Sequence, residues 1–536
     1  MHFPMMNAMN PKPLLFSPEY LPEQMKPQQL STNSVATDAS SEVSPRCAAL
    51  PTVNAMVVAI ASSLVLTLAG CASSAGIAPV AQAQAPAGLD AKVSTPALAA
   101  DWWLGFGDAT LTDLVQRTLA GNPTLKLTQA RLNRAQAAVA GAQAAEGPQV
   151  NGGFDVTRQR FSATSIYPPP LGGSIRTLGT LQASASWELD LFGRNRAALD
   201  AAVGAQRAAQ ADTEAARILL AANVARTYVQ LARLVEQRSV AERALAQRDE
   251  TLSLIRQRVD GGLDSAVELR QGQGALPESR QQIEALAEQI TLTRHALAAL
   301  SAQAPDALDT LSPTLRSVQA VPLPAAVPAD LLGRRADITA ARWRIEAATS
   351  DMKSAKAQFY PNVNLTAFVG LASIGLDQLV KSGSEQYGAG PAIRLPIFDS
   401  GRLRANLKVK AADLDTAIES YNGAVIDAVH DVADQIGSLR SIERQQREQV
   451  LARSASESAY DLATQRYKAG LGTYLTVLNA EASVLNQRRQ AADLKARALD
   501  SQIALIRALG GGYVSDAADA PRVAAVAAVT VTPASR

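Results

Sequence analysis

Asp427, His430, Asp431 and Asp434 fall at helical spacing on nearly one face, a pattern by which carboxylates and an imidazole could hold a metal ion. No cysteine and no second histidine joins them, so the run reads as a solvated helix face; His295 is the only other histidine beyond the leader. Gly105-Phe106-Gly107 lacks the third glycine and the preceding strand of a dinucleotide fingerprint. No HExxH, Walker loop, nucleophile elbow or paired-cysteine motif occurs in the 536 residues. The expectation is a protein with no catalytic site, no metal and no cofactor.

Cys71 is the one side chain placed for covalent chemistry. Residues 55–71 form an apolar run too short to span a bilayer and ending in small residues, which marks an export signal. Leu68-Ala69-Gly70-Cys71 resembles the bacterial lipoprotein processing box, implying cleavage before Cys71 and lipidation of its thiol; the alternative is an ordinary signal peptide with an incidental cysteine. Ala72, not Asp, follows it, which in this class of lipoprotein implies sorting to the outer membrane. Cys47 lies upstream, so the mature chain keeps one acylated cysteine and no disulfide. Residues 1–54 are rich in Pro, Ser, Asn and Met without apolar period, and read as disordered or as an over-long start of the reading frame.

The elements that follow come twice. Gln257-Arg258-Val259-Asp260-Gly261-Gly262-Leu263 recurs as Gln465-Arg466-Tyr467-Lys468-Ala469-Gly470-Leu471, and Leu191-Phe192 matches Ile397-Phe398. An Ala-rich helix ending at Pro148 likewise matches one ending at Pro361. One unit of about two hundred residues is thus written twice, each copy reading helix, two strands, then two long helices. The expected layout is a leader and signal over 1–70, a tether over 71–100, a first repeat over 101–300 and a linker over 301–330. A second repeat over 331–513 and a loose tail over 514–536 complete it.

Within the first repeat, strands are expected over 149–161 and 180–192. In the latter Leu181, Ala183, Ala185, Trp187, Leu189 and Leu191 alternate with Gln182, Ser184, Ser186, Glu188 and Asp190. The second repeat places strands over 362–398, where Val363, Leu365, Ala367, Val369 and Leu371 share a face, as do Ala389, Ile393, Leu395 and Ile397; Pro391 and Pro396 argue against the last strand. Neither Gly nor Pro interrupts Ala205 to Asp260, a helix of roughly 84 Å at 1.5 Å per residue. Val224, Leu231, Leu245, Leu252 and Val259 give it coiled-coil spacing, with Arg238 interrupting. Gly261-Gly262 ends it and Ser265 with Glu268 caps the returning helix. The second tip uses Gly470 and Gly472, with Thr473 at the cap. Pro277 has no counterpart, so a kink or break is expected in the first returning helix only.

Aromatics make up only 4% of the chain, which suits closely packed helices and not a thick core. The formal charge of +2 excludes steering toward nucleic acid. Alternating strands on an exported chain suggest a transmembrane barrel, yet four strands cannot close one, and open edges cannot face lipid. Two chains would give eight strands, with side chains filling the interior; three give twelve and leave a lumen. The fold class expected is α+β: a trimeric outer-membrane barrel of four strands per protomer, continued by a long α-helical coiled-coil tube. A soluble β-rich domain between coiled coils is the plainer alternative.

The residues then show a resemblance. Asp101-Trp102-Trp103 with Phe106-Gly107-Asp108, the 327–338 segment, Phe359-Tyr360-Pro361-Asn362, Leu395 to Arg402 and the two tip turns together resemble the outer membrane factors, the TolC-like export channels, in their NodT-type lipoprotein branch. The resemblance implies a homotrimer in outer-membrane lipid with a periplasmic tunnel. Its tips, Gly261, Gly262, Leu263, Asp264 and Ser265 with Gly470, Leu471, Gly472 and Thr473, would dock a periplasmic adaptor (membrane fusion protein) of an inner-membrane pump. The implied function is passive efflux of drugs or small solutes. Rivals are a structural coiled-coil envelope lipoprotein or adaptor, and the channel of a protein or peptide secretion system. Two departures stand out. Ala336 replaces a usual Pro, and Thr476 and Asn479 occupy the candidate gate where the family carries carboxylates. Thr and Asn can only hydrogen-bond, whereas acidic rings attract cations and repel one another.

Overall fold

The computed structural model describes residues 73–84, 98–164, 166–321 and 334–514; Cys71, the export signal and residues 515–536 lie outside them. A short 3-10 turn, Trp102–Phe106, leads into helices α1 (Ala109–Gly121) and α2 (Pro123–Ala144). Strands β1 (Gln149–Arg160) and β2 (Ile175–Leu189) follow, then the long helix α3 (Arg194–Asp260) and its return α4 (Ala266–Leu300). The second copy holds α5 (Ala336–Ala357), β3 (Asn362–Ile374), β4 (Glu385–Arg394), α6 (Arg402–Lys468) and α7 (Tyr474–Ala508). Helices α3 and α6 are each 67 residues long, and α4 and α7 each 35. The doubled sequence has folded twice to the same lengths.

Asp108 explains how the chain enters the body. Its carboxylate caps α1 by accepting from the N–H of Thr110 (2.9 Å) and of Leu111 (3.0 Å). It also accepts from the hydroxyls of Tyr228 (3.0 Å) on α3 and Ser317 (2.6 Å) in the linker. Burial, then the neighbouring carboxylate, push the Tyr228 phenol well above its ordinary value, so it stays a donor. Trp102, Trp103 and Phe106 pack with Leu231, Leu234, Ile503 and Ile506 in the main core where α3 crosses α7. Most other buried positions along α3 are Ala or Leu, which lets helices approach. At Gly204 an added Cβ would lie 3.0 Å from the backbone of Ala347, a tight approach of α3 to α5.

The four strands form one antiparallel sheet in the order β1-β2-β3-β4. Opposite residues share a face. The register therefore puts Phe154, Leu181 and Leu371 in one row that ends on Glu385, and Val150, Ala185, Ala367 and Ala389 in another, all on one side. Gln182, Ser184, Ser186, Glu188, Asn364, Thr366 and Arg394 lie on the other. Residues β1 and β4 contribute form the two free edges of the sheet.

Several sequence expectations are corrected. Strand β2 begins five residues earlier than its alternation suggested and ends at Leu189, so Leu191 lies in the following turn. Pro391 sits inside β4, opposite Leu365, because β4 is an edge strand within this chain and has a side free of ladder bonds. Helix α4 runs unbroken through Pro277; Arg248 steadies this stretch by donating to the Ala275 carbonyl (3.3 Å) and to Ser279 (2.9 Å). Residues 73–84, part of the expected tether, are an extended strap docked on α6, with Ile77 buried against Leu407, Ala411 and Leu414. The linker is likewise packed over its described part, burying Leu315 and Val318.

Candidate functional site

The two helical hairpins end in matching turns. In the first, the Leu263 N–H reaches the Arg258 carbonyl (2.8 Å) and the Gly262 N–H reaches that of Val259 (3.0 Å). In the second, Leu471 reaches Arg466 (2.8 Å) and Gly470 reaches Tyr467 (3.0 Å). This is the Schellman closure, which needs a left-handed residue after the cap. Gly262 (φ 73°) and Gly470 (φ 75°) supply it. Gly261 is not left-handed (φ −81°), so of the Gly261-Gly262 pair only the second meets the steric demand. The leucine after each glycine would ordinarily cover the helix end. Here Leu263 is 68% and Leu471 70% exposed, leaving two apolar side chains at the extreme of the molecule.

The returning helices start differently. Ser265 and Glu268 form the expected capping box, with the Ser265 N–H donating to the Glu268 carboxylate (2.9 Å). Thr473 occupies the N-cap of α7 but makes no side-chain cap bond; its hydroxyl pairs with that of Thr476 (3.0 Å). Thr476 and Asn479 are both exposed and three residues apart, on one side of α7.

A polar latch that sequence reasoning missed joins the two tips. Arg258 of the first hairpin donates to Asp264 (2.9 and 3.2 Å) and to the Tyr467 carbonyl of the second (3.1 Å). The Tyr467 hydroxyl donates to the Asp264 carboxylate, and the Arg258 guanidinium lies 4.6 Å over the Tyr467 ring. Burial raises the Asp264 carboxyl, but the bonds from Arg258 and Tyr467 outweigh it and hold it below the ordinary range. Asp264 is therefore turned inward, unlike its neighbours Gly261, Gly262, Leu263 and Ser265, which are exposed. The repeat contained the signal: Arg258 is matched by Arg466, while Tyr467 and Asp264 align with Val259 and Gly472. Deeper in the hairpins, Arg248 pairs with the buried Glu481 (3.1 Å), whose carboxyl is pushed up by desolvation against the pull of Arg248.

At the other end, Glu188 pairs with Arg194 (2.5 Å) where β2 meets α3, and Asp190 accepts from the Arg196 N–H (2.8 Å). Of the acidic run on α6, Asp427, His430 and Asp434 are exposed, and Asp431 is held by Arg335 (3.6 Å) and Arg507 (3.4 Å). Among the described residues no helix is long and apolar enough to cross a membrane.

The outer membrane efflux protein family model matches residues 114–303 and 327–511, covering both repeats. This chain belongs to that family. Among relatives of the outer membrane efflux proteins, the multidrug resistance outer membrane protein MdtQ of Escherichia coli O157:H7 is 33% identical over 466 residues, spanning 84% of this chain and 97% of the relative. MdtP of Escherichia coli K12, also called a multidrug resistance outer membrane protein, is 34% identical over 425 residues, 77% and 86% of the two chains. Among solved structures, the outer membrane protein VceC of Vibrio cholerae superposes with a TM-score of 0.73 at 36% identity, over 78% of this chain and all of its own. The open-state MtrE outer membrane channel of Neisseria gonorrhoeae gives 0.71 at 27% identity, over 81% and 98%. The protein is thus an outer-membrane efflux channel protein of TolC-like fold.

Proposed function

We propose that three copies of this chain join head to tail into a twelve-stranded barrel and a helical tunnel. The assembly is a passive duct that carries drugs or other small solutes outward, energised by an inner-membrane pump and joined to it by a periplasmic adaptor. The observation that carries this reading is a sheet with one apolar and one polar face and two free edges. Lipid tolerates neither an unpaired edge nor a lone four-stranded sheet, so β4 of one copy must pair with β1 of the next. The helices repeat the argument. Helix α5 packs on both α3 and α6, burying Ile338, Trp343 and Met352, whereas its counterpart α2 packs on α3 and buries only Leu132. The free flank of α2 then suits α6 of a neighbour, a heterologous contact that closes as a ring.

The solute class is supported by the names of the relatives, multidrug resistance outer membrane proteins. Adaptor docking falls to the tips, where exposed Leu263 and Leu471 offer apolar anchors beside Gly261, Gly262, Ser265, Gly470 and Thr473. Thr476 and Asn479 would line the narrowest part of the tunnel, a gate without charge. Cys71 carries the lipid that anchors the mature chain. Native mass spectrometry of detergent-purified protein tests the assembly: a mass of three lipidated chains is expected, and a monomer stable without detergent would overturn it.

A further inference from the structure

The strap over residues 73–84 has a direction. At its N-terminal end Arg404 donates to the carbonyls of Ser73 and Ala75. Further along, Asp415 accepts from the N–H groups of Val80 and Ala81 (both 2.8 Å). At the far end the Asn422 side chain accepts from the Gln84 N–H (2.9 Å) and donates to the Gln82 carbonyl (3.0 Å). Arg404 and Asn422 are about 27 Å apart along α6 at 1.5 Å per residue. Arg404 lies in the first turn of α6, next to the sheet, so the strap points its N-terminus at the membrane. Cys71 precedes Ser73 by two residues, a reach of about 7 Å.

A few residues before Arg404 in the chain, the turn between β4 and α6 exposes two large apolar side chains, Ile397 (60%) and Phe398 (86%). The turn is fixed, because Asp399 accepts from the N–H groups of Gly401 (3.0 Å) and Leu403 (2.9 Å). The first repeat handles the matching residue differently: Phe192 stacks on Tyr360 at 4.8 Å with the rings 11° from parallel. The repeat aligns Tyr360 with Gly147, so a neighbouring copy in the ring offers Phe398 no equivalent ring. Among the described residues only the second repeat carries the strap, and Phe398 (86%) is far more exposed than Phe192 (46%).

We propose that Ile397 and Phe398 form the seat for the fatty acyl chains on Cys71. The lipid would thereby be held against the rim of the sheet instead of trailing in bulk membrane. The proposal rests on the lipidation of Cys71 put forward above. The test is growth of cells on a photoreactive diazirine fatty acid, irradiation, purification of the whole assembly and peptide mapping. Labelled Cys71 lipopeptide cross-linked to the tryptic peptide 395–402 is expected, with loss of most of that product in Phe398→Ala and none in Leu191→Ala. Label present on Cys71 but cross-linked only to phospholipid or to other peptides would overturn the seat while leaving lipidation intact. Cys71 without label would overturn the lipidation itself, and the seat with it.

Discussion

Single side chains divide between those that hold the body together and those that join the two hairpin tips. Asp108 belongs to the first group: buried, it receives two backbone N–H groups and two hydroxyls, so Asp108→Ala strands four donors. Stranding buried donors costs about 1–3 kcal/mol each at most and less once water enters, so a loss of about 2–4 kcal/mol is expected, read as a lower melting temperature of the assembly. The latch belongs to the second. Tyr467→Phe keeps the ring over which Arg258 lies but removes the donor to Asp264; faster trypsin cleavage after Lys468 is expected, with the fold intact by circular dichroism. A carboxyl held below its unfolded value stabilises fully above that value and loses the contribution as pH falls through the folded one. Conductance should therefore be flat from neutral pH to about 5 and rise below about 4. Asp264→Asn should abolish the step. At the gate, Asn479→Asp would create an acidic ring in the proposed trimer, and lower conductance in the presence of a divalent cation than in its absence is expected. Equal conductance in both conditions would contradict it.

Elements were legible wherever period and punctuation agreed. The first long helix was legible from Ala205 to Asp260, where neither Gly nor Pro intervenes before Gly261, its start at Arg194 lying beyond Gly204, and the two-faced strand β2 was legible from its alternation. Pro277 was misleading because a proline removes one ladder bond without obliging the helix to end, and α4 continues through it. The strap was illegible for a different reason: its backbone is recognised by side chains of α6 more than 330 residues away, and composition carries no trace of a distant partner. The latch was hidden similarly, although two of its members, Tyr467 and Asp264, stand where the repeat is broken, against Val259 and Gly472. The turns give a clean comparison. Gly470→Ala, at φ 75° with open space around it, should cost about 1 kcal/mol, while Gly261→Ala, at φ −81°, should cost much less. Thermal melting of the two variants side by side checks the difference.

For the whole molecule, the argument is one of incompleteness. A single chain presents an apolar sheet face and two unpaired edges, and in the proposed trimer each edge would be met by a second copy. In that proposed barrel the alternation of faces would make the inside polar, with Gln182, Ser184, Ser186 and Thr366 toward the lumen and Phe154, Leu181 and Val369 toward lipid. A structural tether would have no use for that inner surface. The most direct test is electrical: purified protein reconstituted into planar bilayers, with the latch opened by Arg258→Ala and Tyr467→Phe together. Discrete, uniform conductance steps are the predicted result. Assemblies that insert yet stay electrically silent with their tips unlatched would contradict the account.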